Sequence, residues 1–199
     1  MSRASRLPVD VRRDRLLALG LRLFSEHRYD DVTTDAIARA AGVSKGLLYH
    51  YFANKREYYV AAISELGRRL LDATRFDARV SFTEAVRSAL FRFIDFVRQN
   101  AAAYRALCRG GVGQDDEVAA IVARVREASI AAVLDRGAIA SPSPRLRAAL
   151  HGWTGYCEAV SLYWIAQGCE IVDEDLVDTL LAALVATLSG GSDRDALLH

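Results

Sequence analysis

A short stretch of the chain combines hydrogen-bond donors with a positive charge. Lys45, Tyr49, His50 and Tyr51 lie within seven residues of one another. Ammonium, phenol and imidazole groups can donate hydrogen bonds to phosphate oxygens and to base edges. No nucleophile stands beside a general base here, as covalent catalysis would require. The residue types therefore point to recognition of a nucleic acid rather than to a reaction.

Two helix starts, eleven positions apart, would position these side chains. Thr33 and Ser44 each carry a hydroxyl that can accept a hydrogen bond from an unpaired N–H of the first helical turn. Between them, Gly42 can adopt the positive φ that other residues resist. Two short helices around such a turn predict a helix-turn-helix, whose second helix lies in the major groove of DNA.

The second helix has one face for packing and one for contact. At about 100° per residue, Leu48 and Phe52 fall on the same side. They are expected to pack against Ile37 and Ala38 of the preceding helix. Because Gly46 has no side chain, the backbone there can approach a base or phosphate closely. The outward face comprises Gly46, Leu47, Tyr49 and His50, with Lys45 and Tyr51 at its flanks.

The alternative is that Tyr49, His50 and Tyr51 are ordinary surface aromatics of a helical protein. The distribution of charge favours the nucleic-acid interpretation: residues 1–60 carry a net charge of +4, whereas the rest carries −3. Both lysines of the chain, Lys45 and Lys55, lie in or beside the second helix. This local excess suits contact with phosphate, and its modest size argues against a general coating of nucleic acid.

These residues resemble the helix-turn-helix of the TetR (tetracycline-repressor) family of bacterial transcription regulators. The similarity covers about residues 11–63 and is most specific over residues 33–55. The resemblance implies that Thr34 and Lys55 hold phosphates and that Tyr49 contacts the DNA backbone. It also implies contacts with bases or adjacent phosphates from Lys45, Gly46, Leu47, His50 and Tyr51, and Ser44 at the helix start completes the predicted DNA-binding set.

Two positions depart from the family pattern. Family members usually have glycine at the position of Arg28, where the first helix ends. A left-handed Arg28 would cost on the order of 1 kcal/mol, so a different turn is expected there. Leu47 stands where some relatives have a hydroxyl or amide, and it can contact only a thymine methyl group. Hydrogen-bonded recognition of bases is then expected to depend on His50 and Lys45.

The whole sequence predicts an all-α protein of about nine helices. It has 199 residues, of which 52% are hydrophobic and 26% charged, and only three prolines. No strand-like alternation persists. We expect an N-terminal three-helix helix-turn-helix domain at residues 1–53 and a C-terminal helical domain for ligand binding and dimerisation at residues 54–199. The basic N-terminal arm and the tail from residue 190 are expected to be frayed.

Several classes of site and location are not expected. Cys108, Cys157 and Cys169 lack the spacing of a disulfide or zinc framework, and the four histidines are scattered, so no metal and no cofactor is predicted. The absence of a catalytic constellation argues against an enzyme. No apolar run reaches the roughly 20 residues that cross a bilayer. We therefore expect a cytoplasmic protein without a membrane contact.

The last two predicted helices, at about residues 145–167 and 173–189, are unusually apolar. One side of the first carries Leu150, Trp153, Cys157 and Trp164, and the other carries Gly152, Gly155, Tyr156, Ala159, Tyr163 and Ala166. The second carries Val177, Leu180, Leu181, Leu184 and Leu188. A helix that is apolar on both sides must be covered on both. Pairing with a second copy in a four-helix interface would cover them, as the family resemblance also implies.

A second apolar region could form a ligand pocket. Its predicted members are Phe93, Phe96, Tyr104, Trp153, Tyr156, Cys157, Glu158 and Trp164. The alternative is that these aromatics are simply core, although helix bundles, and this family in particular, do host cavities. Glu158 is expected either to pair with an arginine, such as Arg92 or Arg105, or to orient a hydroxylated or cationic ligand.

Together these features predict a homodimeric transcription regulator. We expect a repressor that binds a near-palindromic double-stranded DNA operator and is released by a small apolar or amphipathic effector. The alternative is a ligand-independent DNA-binding or protein-interaction dimer with a solid helical core. A closed aromatic cavity among residues 91–164 would separate these two hypotheses.

Overall fold

The computed structural model describes residues 9–108 and 116–189, which form nine α-helices, one short 3-10 helix and no strand. The α-helices are α1 (Val9–Glu26), α2 (Thr34–Ala41), α3 (Lys45–Tyr51), α4 (Lys55–Ala73), α5 (Phe82–Gln99), α6 (Ala101–Cys108), α7 (Asp116–Arg136), α8 (Pro144–Ala166) and α9 (Asp173–Ser189). The all-α prediction is confirmed. The predicted N-terminal arm and C-terminal tail lie outside the described residues.

Packing divides the described chain into two compact units. The first comprises residues 9–66, 102–108 and 116–121, and the second comprises residues 67–101 and 122–189. Helix α4 therefore contributes residues to both. The predicted domain boundary between residues 53 and 54 stays a prediction, because units of packing need not coincide with domains of function.

A cluster of four buried rings forms part of the core of the first unit. The centroid of the Phe24 ring of α1 lies 5.8 Å from that of Tyr58 and 4.9 Å from that of Tyr59, and Phe52 lies 4.9 Å from Tyr58. The tilted and edge-to-face geometries are those that aromatic pairs prefer. The Tyr58 phenol donates a hydrogen bond to the carbonyl of Leu16, and burial raises the pKa of this phenol. Tyr58 therefore stays a neutral donor that links α4 to α1.

Gly20 allows α1 to approach α4 closely. A Cβ atom at this position would lie 2.9 Å from the Tyr58 ring and 3.2 Å from the Cβ of Ala62. Real Cβ atoms rarely come so close to other heavy atoms, so a larger residue at position 20 would force the helices apart.

The turn after α1 avoids the left-handed strain considered for Arg28. Arg28 has φ −63° and ψ 147°, which is extended backbone. A 3-10 turn, Tyr29–Asp31, follows it and leads the chain to α2. Because Arg28 is not left-handed, a side chain at this position carries no conformational cost.

In the second unit, α9 packs against both α5 and α8. The indole N–H of Trp153 donates to the carbonyl of Leu180 at 3.0 Å, and that of Trp164 donates to the carbonyl of Ile171 at 3.0 Å. Both indoles are buried. Arg98 forms an ion pair with Asp173 at the start of α9. The tryptophans therefore combine apolar burial with satisfied polar groups, which is what a core position requires.

The two sides of α8 differ as the sequence suggested. The apolar stripe of α9, in contrast, differs from the expectation that a second chain covers it. Leu150, Trp153, Cys157 and Trp164 of α8 are buried. Tyr156 and Tyr163 on the opposite side remain 40% and 62% exposed. The α9 stripe expected to face a second chain is already covered within this chain: Val177, Leu180, Leu184 and Leu188 are buried, and Leu181 is half-buried. Periodicity identified the apolar face correctly but not the helices that cover it.

None of the described helices is both long enough and apolar enough to cross a membrane.

Candidate nucleic-acid interface

The turn between α2 and α3 is built as the sequence predicted. Thr33 Oγ1 accepts a hydrogen bond from the N–H of Ala36 at 3.1 Å, and Ser44 Oγ accepts one from the N–H of Leu47 at 3.2 Å. Gly42 is left-handed with φ +65°. This geometry lets the N–H groups of Gly42 and the next residue bond back to carbonyls at the end of α2. The helix-turn-helix prediction is confirmed at each of these positions.

Burial on one side of α3 fixes the orientation of the other. Leu48 and Phe52 are each 2% exposed, and Ile37 and Ala38 of α2 are buried with them. The outward side chains then share one surface of the first unit. Ser44, Lys45, Gly46, Tyr49 and His50 are exposed, and Thr34, Leu47, Tyr51 and Lys55 are half-buried.

Tyr49 and Thr34, both assigned to phosphate or backbone contact, lie side by side. The Tyr49 hydroxyl lies 3.5 Å from Thr34 Oγ1, although the residues are fifteen positions apart in sequence. Tyr49 remains 45% exposed, so its hydroxyl is accessible to solvent. Two adjacent hydroxyls on different helices can donate to oxygens of one phosphate group.

Lys45 has a partner that the sequence did not reveal. Its Nζ lies 2.7 Å from Oδ1 of Asp35, in the first turn of α2. The hydrogen bond with Asp35 raises the pKa of Lys45, so the ammonium stays charged at neutral pH. Both side chains are about half exposed, and such pairs exchange readily with other partners. A phosphate or base would therefore have to compete with this carboxylate for Lys45.

Lys55, at the start of α4, is held more firmly. Its Nζ donates to the carbonyl of Tyr29 at 2.9 Å and lies 4.2 Å from the centroid of the Tyr29 ring. The helix start itself is capped, because Asn54 Oδ1 accepts from the N–H of Glu57 at 2.8 Å. The Glu57 carboxylate in turn accepts from the N–H of Ala53 at 2.8 Å. The ammonium of Lys55 thus has a structural role besides any contact with DNA.

His50 and Tyr51 end the exposed face of α3. Their rings meet edge to face with centroids 5.5 Å apart. Tyr51 also lies 6.3 Å from the buried Phe52 ring. This contact gives the His50 imidazole an aromatic neighbour that limits its rotation.

The predicted pocket residues differ in burial, and they do not all belong to the same packing unit. Trp153, Cys157 and Trp164 are buried in the second unit, and burial raises the pKa of the Cys157 thiol to about 12. Tyr156 lies on the exposed side of α8. Phe93, Phe96 and Glu158 are half-buried in the second unit, whereas Tyr104 is buried in the first.

Glu158 does pair with an arginine, but with a different one from the two named as examples. Glu158 forms an ion pair with Arg126 of α7, not with Arg92 or Arg105. Arg92 instead donates to the carbonyl of Ala73, the last residue of α4, and to that of Arg75, which follows the helix. Because no local pattern links α7 with α8, the sequence could not identify this pair.

Among the described residues, no group of three histidine, cysteine or carboxylate side chains is arranged to hold a metal ion. The three cysteines are free thiols.

Comparison with known proteins agrees with this geometry. Residues 16–62 match the family model described as bacterial regulatory proteins, tetR family. Residues 82–187 match the model described as tetracyclin repressor-like, C-terminal domain. The HTH-type transcriptional activator FasR of Mycolicibacterium smegmatis is 33% identical over 135 residues, which is 67% of this chain. The chain spans 62% of the length of that relative.

Solved structures share the fold. A tetR-family transcriptional regulator from Streptomyces coelicolor superposes with a TM-score of 0.81 at 30% identity, over 96% of this chain and 88% of the other. The regulator FadR from Bacillus subtilis, solved with stearoyl-CoA, gives a TM-score of 0.71 at 15% identity, over 87% and 98%. Because the C-terminal model alone covers more than half of the chain, the chain belongs to the TetR family of bacterial transcriptional regulators, which are not enzymes.

Proposed function

We propose that this protein is a homodimeric, cytoplasmic repressor that binds a near-palindromic DNA operator and leaves it when a small amphipathic effector binds. The observation that carries the DNA part is the adjacency of Tyr49 and Thr34 on the surface that α3 presents. That adjacency joins two helices into one contact surface, as docking in a major groove requires.

The contacts divide by chemistry. Tyr49, Thr34 and Lys55 would hold phosphates, which fix the position of α3 on DNA without reading its sequence. His50 and Lys45 would donate to base edges, and Leu47 would contact a thymine methyl group. Gly46 and Ser44 would let the start of α3 approach the backbone closely.

The exposed side of α8 is the surface we propose for dimerisation. Tyr156 and Tyr163 are exposed there, and a Cβ atom added at Gly152 or Gly155 would meet nothing within 4 Å. Small residues beside exposed aromatics suit close helix packing against a second copy. On α9, the exposed Val185 would extend this surface in place of the buried leucines. Two DNA-binding heads could then meet two half-sites.

We propose an effector with an acyl chain. FadR of Bacillus subtilis, which shares the fold, binds stearoyl-CoA. In this chain the half-buried Phe93 and Phe96 offer apolar surface in the second unit. The effector would act by binding better to a conformer whose two heads are wrongly spaced, with α4 as the lever.

Two alternatives remain in view. The related FasR is named an activator, so effector binding could strengthen DNA binding rather than weaken it. A ligand-independent dimer with a solid core is favoured by the satisfied indoles of Trp153 and Trp164. The experiments below separate these outcomes.

The phosphate role of Tyr49 predicts a loss of affinity that does not depend on DNA sequence. Tyr49→Phe removes the hydroxyl and keeps the ring, and Thr34→Val removes its neighbour. Each should weaken binding about tenfold or more, because a hydrogen bond to a charged group contributes about 1.5–3 kcal/mol. Fluorescence anisotropy on an operator selected by the wild-type protein, and on random duplex, measures this effect. Equal affinities for Tyr49→Phe and wild type would contradict the docking.

The Lys45–Asp35 pair predicts that removing the carboxylate strengthens binding. Asp35→Asn should raise affinity for all duplexes and steepen the dependence on salt, because Lys45 no longer has to exchange partners. Glu26→Gln is the matched control, since it removes one negative charge from an exposed position at the end of α1. Equal gains in the two variants would show a general charge effect, and no gain in Asp35→Asn would show that the carboxylate does not compete.

The dimer surface predicts that a bulky residue at Gly155 separates the subunits. Gly155→Leu should shift the protein from dimer to monomer in analytical ultracentrifugation and lower operator affinity to that of a single half-site. Ala18→Leu makes a similar change of volume on the exposed side of α1 and should leave the dimer intact. A dimer that survives Gly155→Leu, together with retained operator affinity, would place the interface elsewhere.

The effector proposal predicts that stearoyl-CoA lowers operator affinity, whereas CoA without an acyl chain has no effect. The midpoint temperature of thermal unfolding should also rise, because a ligand at one hundred times its dissociation constant stabilises the folded state by about 2.7 kcal/mol. Tighter DNA binding in stearoyl-CoA would instead identify an activator of the FasR type. If saturated acyl-CoAs of different length change neither the operator affinity nor the midpoint temperature of unfolding, the solid-core alternative is favoured.

A further inference from the structure

A groove lies beside the DNA-facing surface, between α1 and the turn that joins α2 to α3. It encloses a volume of about 540 Å³. Its lining combines the apolar side chains of Leu16 and Leu47 with the polar side chains of Arg12, Arg15 and Ser44. This volume is large enough for a small molecule or for part of a nucleotide chain.

The charge of this groove is unbalanced. Arg12 is half-buried and Arg15 is exposed, and neither guanidinium has an ion pair or side-chain hydrogen bond within the described chain. Asp14 is the only acidic residue between positions 11 and 20, and it does not line the groove. Arg13, in the same helical turn, points elsewhere and lies 5.6 Å from the centroid of Phe52. Two guanidinium groups on a concave surface suit an anion with several oxygens.

The groove is continuous with the DNA-binding surface. Ser44 and Leu47 belong both to its lining and to the start of α3. A Cβ atom at Gly42, which also lines it, would meet nothing within 4 Å, so the groove is open at the turn. DNA that receives α3 in its major groove would therefore bring a neighbouring stretch of backbone to this opening.

We propose that this groove holds a phosphate of the DNA strand that flanks the site of α3, with Arg12 and Arg15 as its ligands. The inference rests on the proposed DNA-binding function and adds a contact from α1 to it. A free phosphate or a nucleotide offers the same chemistry, and the experiment separates these sources.

The first experiment compares the double variant Arg12→Gln/Arg15→Gln with Arg22→Gln. Arg22 is exposed on α1 about two turns beyond Arg15, on the same side of the helix, and does not line the groove. On the selected operator, the slope of log affinity against log salt should fall by about 0.9 in the double variant, because one phosphate contact is lost from the groove. Arg22→Gln should leave the slope unchanged. If Arg22→Gln lowers the slope as much per charge removed as the double variant does, the proposal is overturned.

The second experiment changes the DNA and compares the wild-type protein with the same double variant. Phosphates of the selected duplex are replaced one at a time by neutral methylphosphonates, and affinity is measured at each position. The proposal expects losses at one or two flanking phosphates, and expects the double variant to be insensitive at those positions. Equal sensitivity of wild type and double variant at every position would overturn it.

The outcomes also separate the possible failures. Failure of the wild-type protein to bind any duplex would overturn the proposed function as well. Normal DNA binding by the double variant, with Tyr49→Phe still impaired, would overturn the groove proposal alone. The groove would instead belong to a free anion if two results coincide. Inorganic phosphate or a nucleoside triphosphate would stabilise the wild type, but not the double variant, against thermal unfolding. The double variant would still bind DNA normally.

Discussion

The surface proposed to face DNA depends on the burial of two side chains, Leu48 of α3 and Phe52 directly after it. A helix of seven residues is well below the roughly 12–15 residues at which isolated helices become marginally stable in water. Its position must therefore come from packing. Full burial of a leucine or phenylalanine side chain contributes about 1.5–3 kcal/mol, and both Leu48 and Phe52 are almost completely buried. Because side chains on a helix have fixed angular spacing, burying these two residues also determines which residues face outward.

The polar contacts between α2 and α3 follow from that packing. With Leu48 against α2, Tyr49 comes within 3.5 Å of Thr34, and Lys45 comes within 2.7 Å of Asp35. These two contacts have opposite consequences for binding DNA. The first groups two donors that a phosphate can use together, whereas the second occupies a donor with a competing anion. In the docking we propose, the affinity for DNA is therefore a balance between donors grouped for binding and a carboxylate that restrains one of them.

Local signals made much of the first unit predictable from the sequence. Caps at Thr33 and Ser44, the left-handed Gly42 and the inward face of α3 each depend on residues within one or two helical turns. Two ion pairs, Lys45–Asp35 and Arg126–Glu158, depend instead on how separate helices cross. The spacing of residues in the sequence does not encode that crossing. The α9 leucines show the same limit, since periodicity identifies an apolar face but not its cover. Tyr156 lies only about 60° around the helix from the buried Trp153, so spacing alone does not reveal that its ring is exposed.

The second unit is held together unevenly, and this bears on where the proposed effector would enter. Helix α9 is fixed to α5 and α8 by buried apolar side chains and by two indole hydrogen bonds to backbone carbonyls. Helix α7 is linked to α8 by the Arg126–Glu158 ion pair and by a contact between His151 Nε2 and the Glu127 carboxylate. Partly exposed ion pairs contribute little net stability, since water compensates both charges when they separate. Displacing α7 from α8 should therefore cost less than displacing α9. The effector we propose, if it enters there, would keep more of its binding free energy for shifting the population of the DNA-binding conformer.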